Sequence, residues 1–293
     1  MPETTKPEAR VNPLLSVLRQ PKIYIRLPSG GKYWAEGSLN VSVSGEYPVY
    51  SMTARDELLL KTPDALLNGQ GVVEVIQNCM PNVLDAWECP QLDLDTILIA
   101  IRLATYGEQM TLTVSHPSID DDEPFEYEVN IRELLEKRQA EASWEDRLEI
   151  RPDLVVYLKP LNYRTQTESQ IGEFETQSIM RIVQDKDIPE EEKVKAFQQA
   201  FMNLTKKTIT VIGRAVYKIE STAGIVEDAD FIEEFISQCE AEIFDKIKKR
   251  LGLLNDANKL QPMIINTTPE MQEAGAPPTI EVPFTFDQSN FFG

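Results

Sequence analysis

The chain has 293 residues, 42% of them apolar, and 48 acidic against 29 basic side chains give it a formal net charge of −19. That length suits one large domain or two ordinary ones, and the charge argues against nucleic acid as a partner, because phosphates are repelled. The longest apolar run, Ile97 to Ile101, stops at Arg102, far short of the roughly 20 residues of a membrane span.

The first residues are polar and proline-containing, with no apolar stretch of the signal-peptide kind, so 1–21 read as a flexible N-terminal arm. "KIYIRL" then alternates, with Ile23, Ile25 and Leu27 on one face, and "LNVSVS" and "YPVYSM" follow after glycine breaks. These predict a small antiparallel sheet. Thr53 is placed to cap "ARDELLLK", and Pro63 to open a short helix that ends at Gly69. "GVVEVIQNC" is open to helix or strand. Asp93 or Asp95 is placed to cap "TILIAIRLATYG", a helix apolar nearly all round that belongs in the middle of a core, with Gly107 as its stop. "QMTLTVSH" and "FEYEVN" alternate on either side of the acidic "PSIDDDEP", a hairpin with a polar tip. A helix, "IRELLEKRQA", and a strand, "DLVVYLKPL", complete an α+β domain over 22–162.

Residues 163–254 read as a helical domain. Ile171, Phe174, Ile179 and Ile182 form one stripe. In the stretch that begins at Pro189 and runs to Ser221, Val194, Phe197, Phe201, Leu204, Thr208, Val211 and Ala215 recur at spacings of three and four, a heptad seam. A third helix, "FIEEFISQCEAEIFDKIKKRLG", carries Ile232, Phe235, Cys239, Ile243 and Ile247 and stops at Gly252. Three such helices predict a bundle, either closed on itself or offering a seam to a partner, with self-association left open. Residues 255–293 form a linker and an extended C-terminal tail whose Phe284, Phe286, Phe291 and Phe292 are candidate partner-docking residues, since tails seldom concentrate aromatics without docking them.

Chemistry is sparse. "RLPSGGKYW" has the Gly31-Lys32 pair of a phosphate loop, but Arg26 stands at the first glycine position and Tyr33 at the hydroxyl position. Its glycines are better read as turn residues, with Lys32 contacting nothing in particular. The single histidine, His116, has no GxSxG partner motif, and "DDDE" at 120–123 lacks the order of a calcium loop. Cys79, Cys89 and Cys239 have no CxxC spacing and read as buried thiols. The carboxylate pairs of "PEEEK" and "WEDRLE" are ordinary in so acidic a chain. No catalytic, cofactor or metal residue is assigned.

"KIYIRLPSGGKYW", "EYPVYSMTARDELLLKTPDALLNGQGVVEVIQNCMPNV" and "LDLDTILIAIRLATYGE" occur in that order, and together they resemble the baseplate hub proteins of T4-type contractile-tailed bacteriophages. The resemblance is strongest over 22–115. It implies a non-enzymatic subunit or assembly factor of the central hub, working with hub, spike and tape-measure proteins and housed in the virion tail after assembly in the host cytoplasm. Two alternatives follow: a chaperone for the hub or tape-measure protein that leaves before the virion is complete, and a tail hydrolase acting on the cell wall.

Overall fold

The computed structural model describes residues 20–62, 68–114, 125–170, 189–273 and 275–282. The fold is α+β, with two principal hydrophobic cores.

The first core is built around helix α3 (Gln91–Tyr106), whose Ile97, Ile99, Ala100 and Ile101 have no exposed surface. Strands β1 (Ile23–Ile25) and β2 (Tyr47–Val49) pair antiparallel beside it and bury Ile25, Tyr47 and Val49. Pro48 cannot donate to a ladder, which suits a two-stranded ribbon with open edges. The third strand expected at "LNVSVS" does not form. Leu39 makes one isolated bridge to Val83, while Val41 and Val43 face solvent and so give a strand nothing to bury.

Helix α1 (Ala54–Leu60) starts as the sequence predicts, with Thr53 and Asp56 in a reciprocal capping box. Helix α2 (Gln70–Cys79) resolves the ambiguity of "GVVEVIQNC". Burial of Val72, Val73, Val75, Ile76 and Cys79 outweighs the modest helix propensity of valine. The helix expected from Pro63 lies outside the described residues. The cap of α3 is Pro90, whose carbonyl accepts from the Asp93 and Leu94 N–H groups, so of the two aspartates expected as caps Asp93 lies in the first turn and Asp95 follows it inside the helix.

Strands β3 (Gln109–Val114) and β4 (Phe125–Asn130) form the expected hairpin, in register from Gln109↔Asn130 to Val114↔Phe125. Its tip, including His116 and the acidic run, lies outside the described residues. Asn130 accepts from the N–H groups of Arg132 and Glu133 and so caps α4 (Ile131–Glu141).

The second core lies under an antiparallel sheet ordered β5 (Arg147–Arg151), β6 (Leu154–Leu158), β7 (Val216–Ser221), β8 (Gly224–Val226). Leu154, Val156, Leu158, Val216 and Ile219 of the sheet pack with Ile212 of α5 (Glu190–Ala215), Ile232 and Ile236 of α6 (Ala229–Gln238), and Ile243, Ile247 and Leu254 of α7 (Ala241–Ala257). The later helices therefore rest on a sheet as well as on each other. Three local expectations change. Helix α5 ends at Ala215, and Val216–Ser221 is strand, because Val216 and Ile219 bury against β6. The helix expected across Cys239 is two helices, with the Cys239 N–H closing α6 on Phe235 and the Glu240 carbonyl opening α7. Gly252 lies inside α7, which runs on to Ala257. Residues 163–170 are helical, while the stripe from Ile171 to Ile182 is outside the described residues.

The stretch read as a linker carries a hairpin. Strands β9 (Met263–Asn266) and β10 (Thr279–Val282) pair antiparallel around the short helix α8 (Pro269–Glu273), burying Ile265 and Ile280 against Tyr127.

Candidate functional site

The turn "LPSGGKYW" sits at the junction of the two principal cores. Gly30 and Gly31 have φ of 63° and 86°, and Tyr33 has φ of 73°, conformations that reverse the chain. The backbone donors that would cradle a phosphate are already engaged. Ser29 N–H donates to Asp93 Oδ1 at 2.8 Å, Gly31 N–H to Ser29 Oγ at 3.0 Å, and Lys32 N–H to the Ser29 carbonyl at 3.1 Å. The turn reading therefore rests on the fate of each N–H.

Asp93 has no exposed surface and receives further hydrogen bonds from Ser29 Oγ and, at 2.8 Å, from Trp34 Nε1. Burial pushes its carboxyl up to about 6, against the pull of the Ser29 and Trp34 donors and of the Arg138 charge. Arg138, also buried, approaches Asp95 Oδ2 at 3.7 Å and donates to the Leu92 carbonyl at 3.3 Å.

Lys32, expected to touch nothing, lies 2.6 Å from Asp146 Oδ2. The same oxygen accepts from Tyr217 Oη at 2.8 Å and from Tyr33 Oη at 3.3 Å. Burial alone would raise the Asp146 carboxyl, but Lys32 and Tyr217 outweigh it and hold it below the usual carboxylate range. The family-signature turn is thereby joined to β7 of the second core. A cleft of about 490 Å³ opens beside it, lined in part by Lys32, Lys159, Arg164 and Arg214. Three of these cations are engaged by carboxylates: Lys32 by Asp146, Arg164 by Glu88 at 3.2 Å, and Arg214 by Glu168 at 2.6 Å.

Among the described residues the largest concentration of exposed apolar side chains is on α5. Val194, Phe197, Phe201, Met202 and Leu204 are exposed, Phe201 by 62%. Further along, Thr208 and Val211 are half-buried, and Ile212 and Ala215 are buried. The heptad seam is thus split: its C-terminal end belongs to the second core and its N-terminal half faces solvent. At Gly213 the helix passes close to α6, where an added Cβ would meet the Glu233 Cα at 3.7 Å. From there a groove of about 700 Å³ opens between the helices, with Phe201, Met202 and Ile209 on one side and Asp230, Glu233 and Glu234 on the other. Of the predicted seam only Phe201 lines this groove, and sequence reasoning singled out neither Met202 and Ile209 nor the acidic wall. Phe284, Phe286, Phe291 and Phe292 lie outside the described residues.

Among the described residues no cluster of three or more His, Cys, Asp or Glu side chains could hold a metal ion, and no helix is long and apolar enough to cross a membrane. What is on display is an α+β frame with its main apolar exposure along a helix. Residues 21–260 match the family described as T4 bacteriophage base plate protein, and the chain belongs to that family. No curated protein and no solved structure matches it. Membership makes the chain a structural component of the phage baseplate, located in the virion tail among other tail proteins, as the resemblance read on 22–115 implied.

Proposed function

We propose that this protein is a component or assembly factor of the central baseplate hub, and that it works by docking hub, spike or tape-measure proteins rather than by catalysis. The observation that carries this reading is the solvent-facing half of α5, where Val194, Phe197, Phe201 and Leu204 form an apolar stripe on a very acidic protein. A stripe of that kind is costly to leave in water unless a partner covers it. Residues 1–21 and the segment of Phe284, Phe286, Phe291 and Phe292 are further docking candidates, because a linked segment that docks second does so at high effective concentration.

Affinity capture from infected cells tests the reading. The intact chain should retain hub-region proteins, and a Phe197→Ser, Phe201→Ser double variant should lose them. Mass spectrometry of purified virions decides between subunit and departing chaperone, since absence from the particle would exclude the first. The tail is tested by ending the chain at residue 282, which keeps β10 paired with β9. Partner capture should weaken while the fold stays intact.

A further inference from the structure

We infer that the groove between α5 and α6 receives an amphipathic helix from another protein, one whose polar edge carries lysine and arginine. This rests on the docking reading for its setting and adds the chemistry of the partner. The groove runs along α5 past Phe201, Met202, Thr205 and Ile209. That ridge covers about two helical turns, near 12 Å, the reach of an i, i+3, i+4, i+7 set of helix anchors. Phe201 and Met202 are both more than 60% exposed, so the floor is apolar and unfilled.

The opposite wall sets the charge. Asp230, Glu233 and Glu234 share one face of α6 at spacings of three and four, where like charges repel. Glu233 accepts from Thr210 Oγ1 and Glu234 from Gln238 Nε2, both at 3.3 Å, but none of the three has an ion pair among the described residues. Among the described residues Lys206 is the one cation lining the groove. A partner with cations beside its apolar face relieves the repulsion as it covers the floor. A second copy is a poor occupant, since two chains of net charge −19 oppose each other on approach.

The test uses the full chain and two fluorescein-labelled helical peptides about five turns long, one of leucine and lysine and one of leucine and glutamate in the same amphipathic pattern. Anisotropy should show binding of the lysine peptide only. Phe201→Ser should weaken it roughly tenfold, as should the triple variant Asp230→Asn, Glu233→Gln, Glu234→Gln, and the triple variant should also flatten the salt dependence. Glu126→Gln with Glu128→Gln, on β4 in the other core, controls for general attraction of a cationic peptide and should change nothing. Equal binding by wild type and either groove variant, or equal binding of the glutamate peptide, overturns the inference. So does a dimer in sedimentation that Phe201→Ser abolishes, because the occupant is then a second copy. Peptide binding by a chain absent from the hub would sink only the hub role. Presence in the hub with no groove effect would sink only the groove.

Discussion

Ser29 N–H lies 2.8 Å from Asp93 Oδ1, fastening the Leu-Pro-Ser-Gly-Gly turn to the first turn of α3 at a carboxylate with no exposed surface. This contact has a signed pH consequence. An unfolded aspartate titrates near 3.9, whereas burial raises Asp93 to about 6. The folded state therefore holds the proton more tightly between those values, and stability is lost as pH rises through the window. Urea unfolding of wild type and Asp93→Asn at pH 5 and pH 7 should show wild type losing about 1 kcal/mol more than the variant on going to pH 7. Parallel losses would show that Asp93 is not the group responsible.

Asp146 behaves in the opposite sense. Its carboxyl is held low by Lys32 and Tyr217 despite burial, so its contribution is present at neutral pH and disappears as pH falls through the acid range. Lys32 is the larger of the two influences but is more than half exposed, so solvent screening reduces what that pair adds to stability, and the Tyr217 hydrogen bond contributes beside it. Asp146→Ala should cost about 1–2 kcal/mol at pH 7, with the gap narrowing below about pH 4. Chemical denaturation across that range checks both size and direction.

Two glycines with the same sign of φ should resist alanine for different reasons. Gly69, at φ 78° and ψ −7°, is left-handed, a strain of about 1 kcal/mol for alanine, and an added Cβ would lie 3.1 Å from Tyr163 Oη, 3.2 Å from Trp87 and 3.3 Å from Thr167. Gly107, at φ 86° and ψ −167°, faces open space but holds a backbone conformation that only glycine adopts readily, so alanine there should cost about 1–3 kcal/mol with no clash. Both substitutions should lower the melting temperature, and Gly107→Asn should not restore it, whereas asparagine tolerates the left-handed region. An unchanged melting temperature for Gly107→Ala would mean that the end of α3 relaxes without cost.

Helix α5 offers an internal comparison of exposed and buried apolar residues. Phe197 is 48% exposed and Ile212 only 3%. Phe197→Ser should change stability by no more than about 0.5 kcal/mol, while Ile212→Ala should cost about 2–4 kcal/mol. A large loss at Phe197 would place it in the protein's own core and remove it from the docking surface.

These contrasts show what the sequence can express. The burial of α3 is legible because Ile97, Ile99 and Ile101 leave no polar face, and the β3–β4 hairpin because its residues alternate. The change from α5 to β7 is not, since Val211, Ala215 and Ile219 continue a helix-like spacing across the boundary and only pairing with β6 decides the matter. Lys32 and Asp146 are 114 positions apart, so no local pattern foretells their meeting. Of the candidate groove only Phe201 was readable, as one position of the heptad seam; Met202 and Ile209 lie off that seam. The groove's acidic wall needed the packing of α6, although Asp230, Glu233 and Glu234 at helical spacing, with no lysine four residues on, were a signal available in the text.

The ladder between β6 and β7 ends at Leu158↔Val216, and just beyond it Lys159 N–H donates to the Ala215 carbonyl at 2.7 Å. Just past that point the chain is tied to the first core as well, with Gln91 N–H donating to the Leu161 carbonyl and Tyr163 N–H to the Cys89 carbonyl, both at 2.8 Å. At its C-terminal end α5 sinks Ile212 and Ala215 into buried positions beside the sheet. A partner seated on the exposed half of α5 would therefore be held by a helix whose root is fixed where both cores meet, and would bear on the whole frame at once.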